Sequence, residues 1–277
     1  ANQAAKAKRL MLLTGSPIVN SPTDLAAPIS LLNNINLSPE KFEEDFIDYK
    51  KVSPGFFASL RGVTVGEKPG IKNEDKLREL LKGKVDYQPS KTPEGVSVNE
   101  EIIAAPMSAD QEKIQNAIRK KIPLKFLWKL DKEFPLSRNE STKLNAFLSG
   151  LRQVSLSTQP FRADKDPLKS FEQSGKLTAA MTRLKDLLSS DPRKKAIIYS
   201  NFVQSGLDPY AAALTRDKIP YGYFHGGISE ADRKKAVDEY NAGKLKALLI
   251  GPAGAEGLST KGTSLIQLLD PYWNETR

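Results

Sequence analysis

A glycine-rich stretch near the end of the sequence, GPAGAEGLS at 251–259, has residue types suited to contacting a phosphate group. Glycines at 251, 254 and 257 let backbone amides approach an anion with no side chain in the way. Glu256 lies between two of these glycines, and its carboxylate would repel a phosphate in a plain amide nest. It therefore either orders the loop or contacts a metal-bound water or a backbone amide. The alternative is a simple turn between two strands.

Three further polar segments follow short apolar runs. Ser200-Asn201-Phe202 follows AIIY, His225-Gly226-Gly227 follows YGYF, and Asp270 follows SLIQLL. Such runs, alternating with amphipathic helical patterns, predict a parallel sheet with crossover helices. Because parallel sheets bind ligands beyond the carboxyl ends of their strands, we expect these segments and the glycine-rich stretch at one edge.

The segment after the second run predicts a helix whose amino end could meet an anion. Ser229 and Asp232 resemble a capping box, so a helix should run through Arg233 and stop near Gly243. The free amides and dipole of its first turn favour negative charge. His225 just before it could be a general base, but the sequence shows no orienting partner, and a contact role is the commoner one.

Composition limits the class of protein. The 277 residues are 39% hydrophobic and 27% charged, which suits a soluble protein of about two domains. The net charge of +9 favours a nucleic acid as partner over a membrane, because the sequence has no long apolar run; a merely basic surface is the alternative. The absence of cysteine and the single histidine exclude disulfides, thiolate metal sites and two-histidine metal sites. We expect no signal peptide and an intracellular protein.

Patterns elsewhere in the chain predict further strands and helices. A buried-strand pattern at Leu10 to Leu13 breaks at Thr14-Gly15-Ser16-Pro17, and the middle is lysine-rich with helical packing stripes. Asp208 followed by Pro209 predicts a helix with the aspartate as its N-cap. A group of basic residues surrounds Pro123 and either follows a phosphate backbone or forms a solvated helix face: Arg119, Lys120, Lys121, Lys125 and Lys129.

These motifs together resemble Swi/Snf-type DNA translocase ATPases of helicase superfamily two. LLTGSPIVN at 12–20 is similar to the third helicase motif, with Ser16 in place of the usual threonine. IIYSNF is similar to the fourth motif, GPAGAEGLS to the fifth, and DPYWN to the approach to the sixth. The family's paired arginines are represented only by Leu-Lys-Gly-Lys at 81–84, so any role of that pair does not carry over.

The resemblance implies an α/β fold: a RecA-like parallel sheet with crossover helices, plus a mainly helical intervening region. It implies a remnant of a first RecA-like domain at 1–35, a helical insertion at 36–160, and a second RecA-like domain at 161–277 that stops before the arginine-finger motif. It places Thr14, Gly15, Ser16, Gly254, Glu256 and Gly257 at the nucleotide. It places Ser200, Asn201, His225, Gly226, Gly227, Arg233 and Ser259 at DNA, and it implies no metal ligand.

The function implied is part of an ATP-dependent translocase on double-stranded DNA, with subunits of a remodelling or transcription complex as further partners and no membrane. The sequence has no Gly-x-x-x-x-Gly-Lys-Ser/Thr and no Asp-Glu pair in a fitting context. We therefore expect a chain cut at both ends, with ATP and Mg bound mainly by a missing first half and no ATP hydrolysis by this fragment. The location would be the nucleus, a nucleoid or infected cytoplasm.

Three alternatives stay open at this point. An RNA helicase of the same superfamily would share the sheet. A non-catalytic DNA-binding or protein-docking module would bind DNA without affinity for ATP. An unrelated doubly wound enzyme would need a glycine loop after its first strand, which the sequence does not show.

Overall fold

The computed structural model describes residues 9–18, 21–89, 97, 99–252 and 258–270. The chain forms two compact units. Unit 1 contains the described residues up to Glu100 together with Leu124–Ser141, and unit 2 contains Glu101–Pro123 and the described residues from Thr142 onward. The division at residues 35 and 160 that the resemblance implies stays a prediction.

A run of helices from α4 to α9 separates the first two strands from the last four. In chain order the helices are α1 (Ala26–Asn33), α2 (Pro39–Phe46), α3 (Phe56–Leu60), α4 (Glu74–Leu81), α5 (Ala109–Lys120), α6 (Leu124–Asp131), α7 (Arg138–Leu156), α8 (Pro167–Glu172), α9 (Gly175–Ser190), α10 (Asp208–Arg216) and α11 (Glu230–Asn241). The strands are β1 (Ile47–Val52), β2 (Gly66–Ile71), β3 (Ala196–Tyr199), β4 (Tyr221–Phe224), β5 (Ala247–Ile250) and β6 (Leu265–Leu268).

Unit 1 is built on a small apolar core under an antiparallel hairpin of β1 and β2. The core residues come from α1, α2 and the start of β1: Ala26, Ile29, Leu37, Phe42, Phe46 and Ile47. Serine hydroxyls cap the helical starts, since Ser38 accepts from the Lys41 amide at 3.2 Å and Ser21 accepts from the Thr23 amide at 3.3 Å. These caps satisfy amides that have no partner within the helix.

The strand expected at Leu10–Leu13 is not formed, which corrects that prediction. Met11 and Leu13 are 80% and 87% exposed, and the segment has no regular secondary structure. A strand needs a neighbour to satisfy its backbone, and the two strands described in this unit pair only with each other. Apolar composition alone therefore did not decide the local structure.

A buried ion pair joins α6 to α7 in unit 1. Lys129 Nζ lies 2.6 Å from Glu140 Oε2, and both side chains are withdrawn from solvent. The Thr64 hydroxyl donates to Glu140 at 2.6 Å, and the Ser137 amide donates at 2.9 Å. Lys129 is thus a core residue, and the expectation that it contributes to a basic surface around Pro123 is wrong.

The pair should make unit 1 sensitive to acid. Burial would raise the pKa of Glu140, but hydrogen bonds from Lys129, Thr64 and the Ser137 amide outweigh it and lower the pKa from 4.5 to about 2. A carboxylate whose folded pKa is depressed stabilises the fold above its unfolded pKa. That stability is lost as the pH falls through the folded value.

We therefore expect the wild type to exceed Glu140→Gln in unfolding free energy by on the order of 3 kcal/mol near neutral pH. The difference should shrink as the pH falls from about 4.5 to about 2. Urea unfolding followed by the fluorescence of Trp128, in a Trp273→Phe background, measures it. Glu74→Gln, which removes only an exposed pair with Arg78, is the control. A difference in unfolding free energy between wild type and Glu140→Gln that stays constant across this pH range would contradict the prediction.

Unit 2 contains a parallel sheet of four strands in the order β4-β5-β3-β6. Its two central strands, β5 and β3, are apolar on both faces, and helices cover both faces there. At the edge of the sheet, Ile266 and Leu268 of β6 are exposed. Ala196, Ile198, Ala247 and Leu249 belong to a core with α9 and α10. Ile197, Tyr199, Leu248 and Ile250 pack in a second core with α11. This is the predicted RecA-like arrangement of a parallel sheet with crossover helices, and it is confirmed.

The helical stripes of unit 2 are confirmed, with one boundary corrected. Leu177, Met181 and Leu184 of α9 are buried in the first core. Asp208, however, is the first residue of α10 and not its N-cap, because a π-helical turn at Val203–Leu207 leads directly into the helix. Its carboxylate instead accepts the Tyr223 hydroxyl at 3.2 Å.

Close backbone packing fixes the entry into α9. A Cβ on Gly175 would lie 2.2 Å from the carbonyl oxygen of Pro106, so only glycine permits the extended segment before α5 to cross here. Ser174 caps the same helix by accepting from the Leu177 amide at 3.1 Å, and it donates to the Leu156 carbonyl at 2.5 Å. The end of α7 and the start of α9 are thereby held together.

Candidate nucleic-acid interface

The register of the sheet sets the carboxyl ends of all its strands level with one another. Phe224 pairs with Ile250, and Tyr199 pairs with both Ile250 and Leu268. The residues that follow these positions therefore lie side by side, and three of them are His225, Gly251 and Ser200. The single polar edge predicted from the sequence is present in the described residues.

Asp270 is the centre of this edge. The residue is 2% exposed, two positions after β6. Its carboxylate accepts the Ser200 hydroxyl at 2.6 Å, the Asn201 side-chain amide at 2.8 Å and the Asn201 backbone amide at 3.1 Å. These donors just after β3 point to the same acid, so the ends of β3 and β6 are joined through one carboxylate.

Arg152 of α7 supplies the opposite charge. Its guanidinium lies 3.2 Å from Asp270 Oδ2 and stacks on the Phe202 ring at 5.1 Å. Lys176 of α9 is also near, and burial lowers its pKa while Asp270 acts in the opposite direction. Sequence reasoning missed Arg152, because its partner is 118 residues away and no local spacing signals the pair.

Close packing around Ser200 explains why a glycine lies beside it. The Ser200 hydroxyl also accepts from the Phe202 amide at 3.1 Å. A Cβ on Gly206 would lie 2.4 Å from Ser200 Oγ and 2.9 Å from Ser200 Cβ. Only glycine at position 206 therefore lets the π-helical turn pack against Ser200. Asn201 keeps its side chain at the rim, where it is half-buried.

The side chain of His225 is held by contacts with neighbouring residues of the chain. Nδ1 accepts from the Gly227 amide at 3.1 Å, and the ring meets Tyr223 edge to face at 5.3 Å between centroids. A Cβ on Gly251 would lie 2.8 Å from the Cβ of His225, which brings the turns after β4 and β5 into contact. The residues Gly226 and Gly227 are exposed at this edge.

The amino end of α11 already holds a carboxylate. Ser229 caps the helix by accepting from the Asp232 amide at 3.1 Å, and its hydroxyl donates to the Asp232 carboxylate at 2.7 Å. Arg233 follows, with its guanidinium over the Phe224 ring at 5.6 Å. Its Nε is buried and has no hydrogen-bond partner among the described residues. The helix stops before Gly243, whose φ of +78° suits glycine, as predicted.

The other predicted site residues lie in different parts of the chain, and some lie outside the described residues. Ser259 is exposed, and its carbonyl accepts from the Asn241 side chain at 3.0 Å, which ties this loop to the end of α11. Thr14, Gly15 and Ser16 belong to unit 1, where the Ser16 amide donates to the Thr14 hydroxyl at 3.1 Å. The positions Gly254, Glu256 and Gly257 lie outside the described residues.

Two other classes of site have no counterpart in the described part of the chain. None of its residues form a cluster of three or more histidine, cysteine or acidic side chains able to hold a metal ion. None of its helices is both long enough and apolar enough to cross a membrane.

Comparison with known proteins finds a family model that matches the sheet and its edge. Residues 179–277 match the family described as "Helicase conserved C-terminal domain". That segment is similar to helicase C-terminal domains. It comprises the four-stranded sheet and its polar edge. The resemblance to the C-terminal portion of Swi/Snf-type proteins of helicase superfamily two is confirmed.

Individual relatives agree with this match. A mimivirus protein (Acanthamoeba polyphaga mimivirus) named as ATP-dependent RNA helicase L538 is 38% identical over 81 residues, 29% of this chain and 18% of the relative. The DNA repair protein RAD5 of Cryptococcus neoformans is 32% identical over 105 residues, 37% of this chain and 9% of the relative. The chain thus spans less than a fifth of the length of these curated relatives.

A solved structure shares the fold. It is titled "Sulfolobus solfataricus SWI2/SNF2 ATPase core in complex with dsDNA", and it matches with a TM-score of 0.50 and 16% sequence identity. The match covers 94% of this chain and 51% of that one. At this identity the likeness concerns the fold alone.

Because Asp270 joins several elements, replacing one oxygen of its side chain should have a large effect on stability. Asp270→Asn removes the charge that Arg152 faces and replaces one acceptor oxygen with a donor amide, so it should lower the free energy of unfolding by about 1–3 kcal/mol. Urea unfolding followed by circular dichroism measures this change. Glu172→Gln, which removes only an exposed pair with Arg216, is the matched control and should cost less than about 1 kcal/mol. Equal effects of the two changes would contradict the assignment.

Proposed function

We propose that this chain is part of an ATP-dependent translocase that moves along double-stranded DNA, and that the carboxyl edge of its sheet grips the phosphate backbone. The observation that carries the proposal is the alignment of Ser200, His225 and Gly251 at one edge of a sheet that is similar to helicase C-terminal domains. The net charge of +9 supports a polyanionic partner. The printed names of relatives, a DNA repair protein and a structure with dsDNA, support DNA.

The proposed contacts are to the backbone and not to bases. Exposed glycines at 226 and 227 leave room for a phosphate beside the first turn of α11. Asp232 would repel that phosphate, so we propose that the guanidinium of the next residue, Arg233, offsets it. Asn201 lies at the same edge, whereas Ser259 is tied to Asn241 at the last residue of α11, and a DNA contact is proposed for both. Contacts of this kind hold DNA without reading its sequence.

The described residues do not fit a complete nucleotide site. They contain no acidic cluster for a metal ion, and the sequence has no phosphate loop in a fitting context. We propose nucleotide contacts for Thr14, Gly15 and Ser16, and also for Gly254, Glu256 and Gly257, with ATP and Mg bound mainly by residues outside this chain. When bound, nucleotide would supply the energy for movement through phosphoryl transfer.

The wider predictions from the sequence belong to the same proposal. The remnant of a first RecA-like domain at 1–35, the helical insertion at 36–160 and the second RecA-like domain at 161–277 are its domain organisation. Its other expected partners are subunits of a remodelling or transcription complex, and its expected location is intracellular.

Arg233→Ala should weaken duplex DNA binding and reduce the slope of log K against log salt by about one, the value for a single phosphate that is no longer neutralised. Fluorescence anisotropy with a labelled blunt duplex at several salt concentrations measures both. Lys194→Ala is the control, because it removes the same charge before β3, at the opposite end of the sheet.

Three outcomes decide between candidate functions. Equal losses of affinity for Arg233→Ala and Lys194→Ala would mean that overall charge, and not this edge, binds DNA. Tighter binding of duplex RNA than of duplex DNA would favour the second candidate, an RNA helicase of the same superfamily, to which the mimivirus relative's name points. DNA binding without any effect of nucleotide on the full-length protein would favour a non-catalytic module.

The purified chain should hydrolyse ATP at no more than the background rate, with or without duplex DNA, because the sequence lacks the phosphate loop and the Asp-Glu pair. A coupled assay of ADP release checks this, and a longer form of the protein that includes a phosphate loop is the positive control. Turnover by the chain alone would overturn this division of the site.

A further inference from the structure

The hairpin of unit 1 displays large apolar side chains at its tip. In residues 47–71, here called the aromatic hairpin, α3 connects β1 to β2. Phe56, Phe57 and Leu60 are 73%, 78% and 70% exposed, whereas the small Ala58 is the buried residue of this helix. An ordinary surface helix buries its large apolar residues, so this one is inverted. Contiguous exposed apolar surface of this kind usually marks a binding site.

The tip is a folded platform. The Gly55 carbonyl accepts from the amides of Ala58 and Ser59 at 3.0 Å, and the Val63 amide donates to the Ala58 carbonyl at 3.1 Å. Val63 is itself buried. The Phe56 and Phe57 rings meet edge to face, 5.7 Å between centroids. Their orientation is therefore fixed by backbone hydrogen bonds and by each other.

The strands that carry this tip are basic on their outer face. Lys50 of β1 stands directly opposite Lys68 of β2, and like charges in such a pair repel. Arg61 is exposed just after α3, and Lys51 is exposed on the opposite face of the hairpin, across from Glu67. None of these four cations has an ion pair within the described part of the chain. Asp48 of β1 shares the face of Lys50 and Lys68, whereas Glu67 lies on the other face, where it accepts the Arg138 amide and Glu43 pairs with Arg138.

The ligand that fits must offer both flat apolar faces and closely spaced anions. A strand of nucleic acid with unpaired bases has this combination, since aromatic side chains stack on its bases while cations neutralise its phosphates. In a duplex the base faces are already stacked. We propose that the aromatic hairpin binds single-stranded nucleic acid, with Phe56 and Phe57 stacking on bases and Lys50, Arg61 and Lys68 contacting phosphates.

This inference does not rest on the proposed duplex contact of unit 2. The residues concerned belong to unit 1, and the two sites are tested by different variants. Loss of duplex binding in Arg233→Ala with unchanged single-strand binding would separate them, as would the reverse in the hairpin variants.

The test uses the full chain and fluorescein-labelled oligothymidylate of about 20 nucleotides, longer than the roughly 4–16 nucleotides of known single-strand sites. The double variant F56A/F57A should bind the oligonucleotide at least about tenfold more weakly, the effect of losing one or two stacked bases. Tyr87→Ala is the matched control, because Tyr87 is an aromatic residue of the same unit, 80% exposed and outside the hairpin. It should bind as the wild type does.

The salt dependence of binding tests the contribution of the lysines separately. Lys50→Gln combined with Lys68→Gln should reduce the slope of log K against log salt by about 0.7 for each phosphate of a single strand that these lysines neutralise. Lys82→Gln, an exposed lysine after α4, should leave the slope unchanged. Thermal unfolding verifies that each variant is folded, which we expect because the substituted side chains are exposed.

Several results would overturn the proposal. Wild-type single-strand affinity in F56A/F57A would do so. An equal loss of affinity for single strand and blunt duplex in that variant would show that stacking on unpaired bases is not involved. A change in sedimentation from dimer to monomer in F56A/F57A, without a change in single-strand affinity, would make the tip an interface between copies of this chain.

Discussion

One buried carboxylate organises the polar edge of the parallel sheet. Asp270 accepts hydrogen bonds from Ser200 and Asn201, and it pairs with Arg152. A charge this deeply buried is unfavourable unless hydrogen bonds and an opposite charge compensate for it. The geometry of β3, β6 and α7 is therefore restricted to one in which all these donors reach the same acid.

The restriction has a functional consequence. The described residues that directly follow β3, β4 and β5 lie outside the strands, and loops alone position side chains poorly. Asp270 fixes the first of them, and close contact between His225 and Gly251 joins the next two. Arg233 rests on Phe224 at the end of β4. The contact with a phosphate backbone that we propose would not require this edge to become ordered first, which avoids an entropic cost of binding.

The sequence predicted the sheet because local pattern and global fold agree there. AIIY and ALLI are apolar at every position, as strands covered on both faces must be, and Gly243 marked the end of α11. Capping by Ser229 was likewise predictable from its spacing to Asp232. These features depend on residues within a few positions of each other, which a sequence displays directly.

Other features depend on partners that are distant in the chain. Lys129 lies in a basic run, and only the folded position of Glu140 buries it. Arg152 carries no local signal of its pair with Asp270. Leu10–Leu13 has the composition of a strand but no neighbour in the described residues to pair with. Phe56 and Phe57 would be assigned to a core by composition, yet the turn at Gly55 directs them to solvent.

A double-mutant cycle on Arg152→Gln and Asp270→Asn tests the central role of the carboxylate most directly. The unfolding free energies of wild type, both single variants and the double variant give the coupling between the two side chains. If Asp270 organises this edge through Arg152, the coupling should be about 1 kcal/mol or more. Effects that add to within about 0.5 kcal/mol would show that the two residues act independently and would contradict the account.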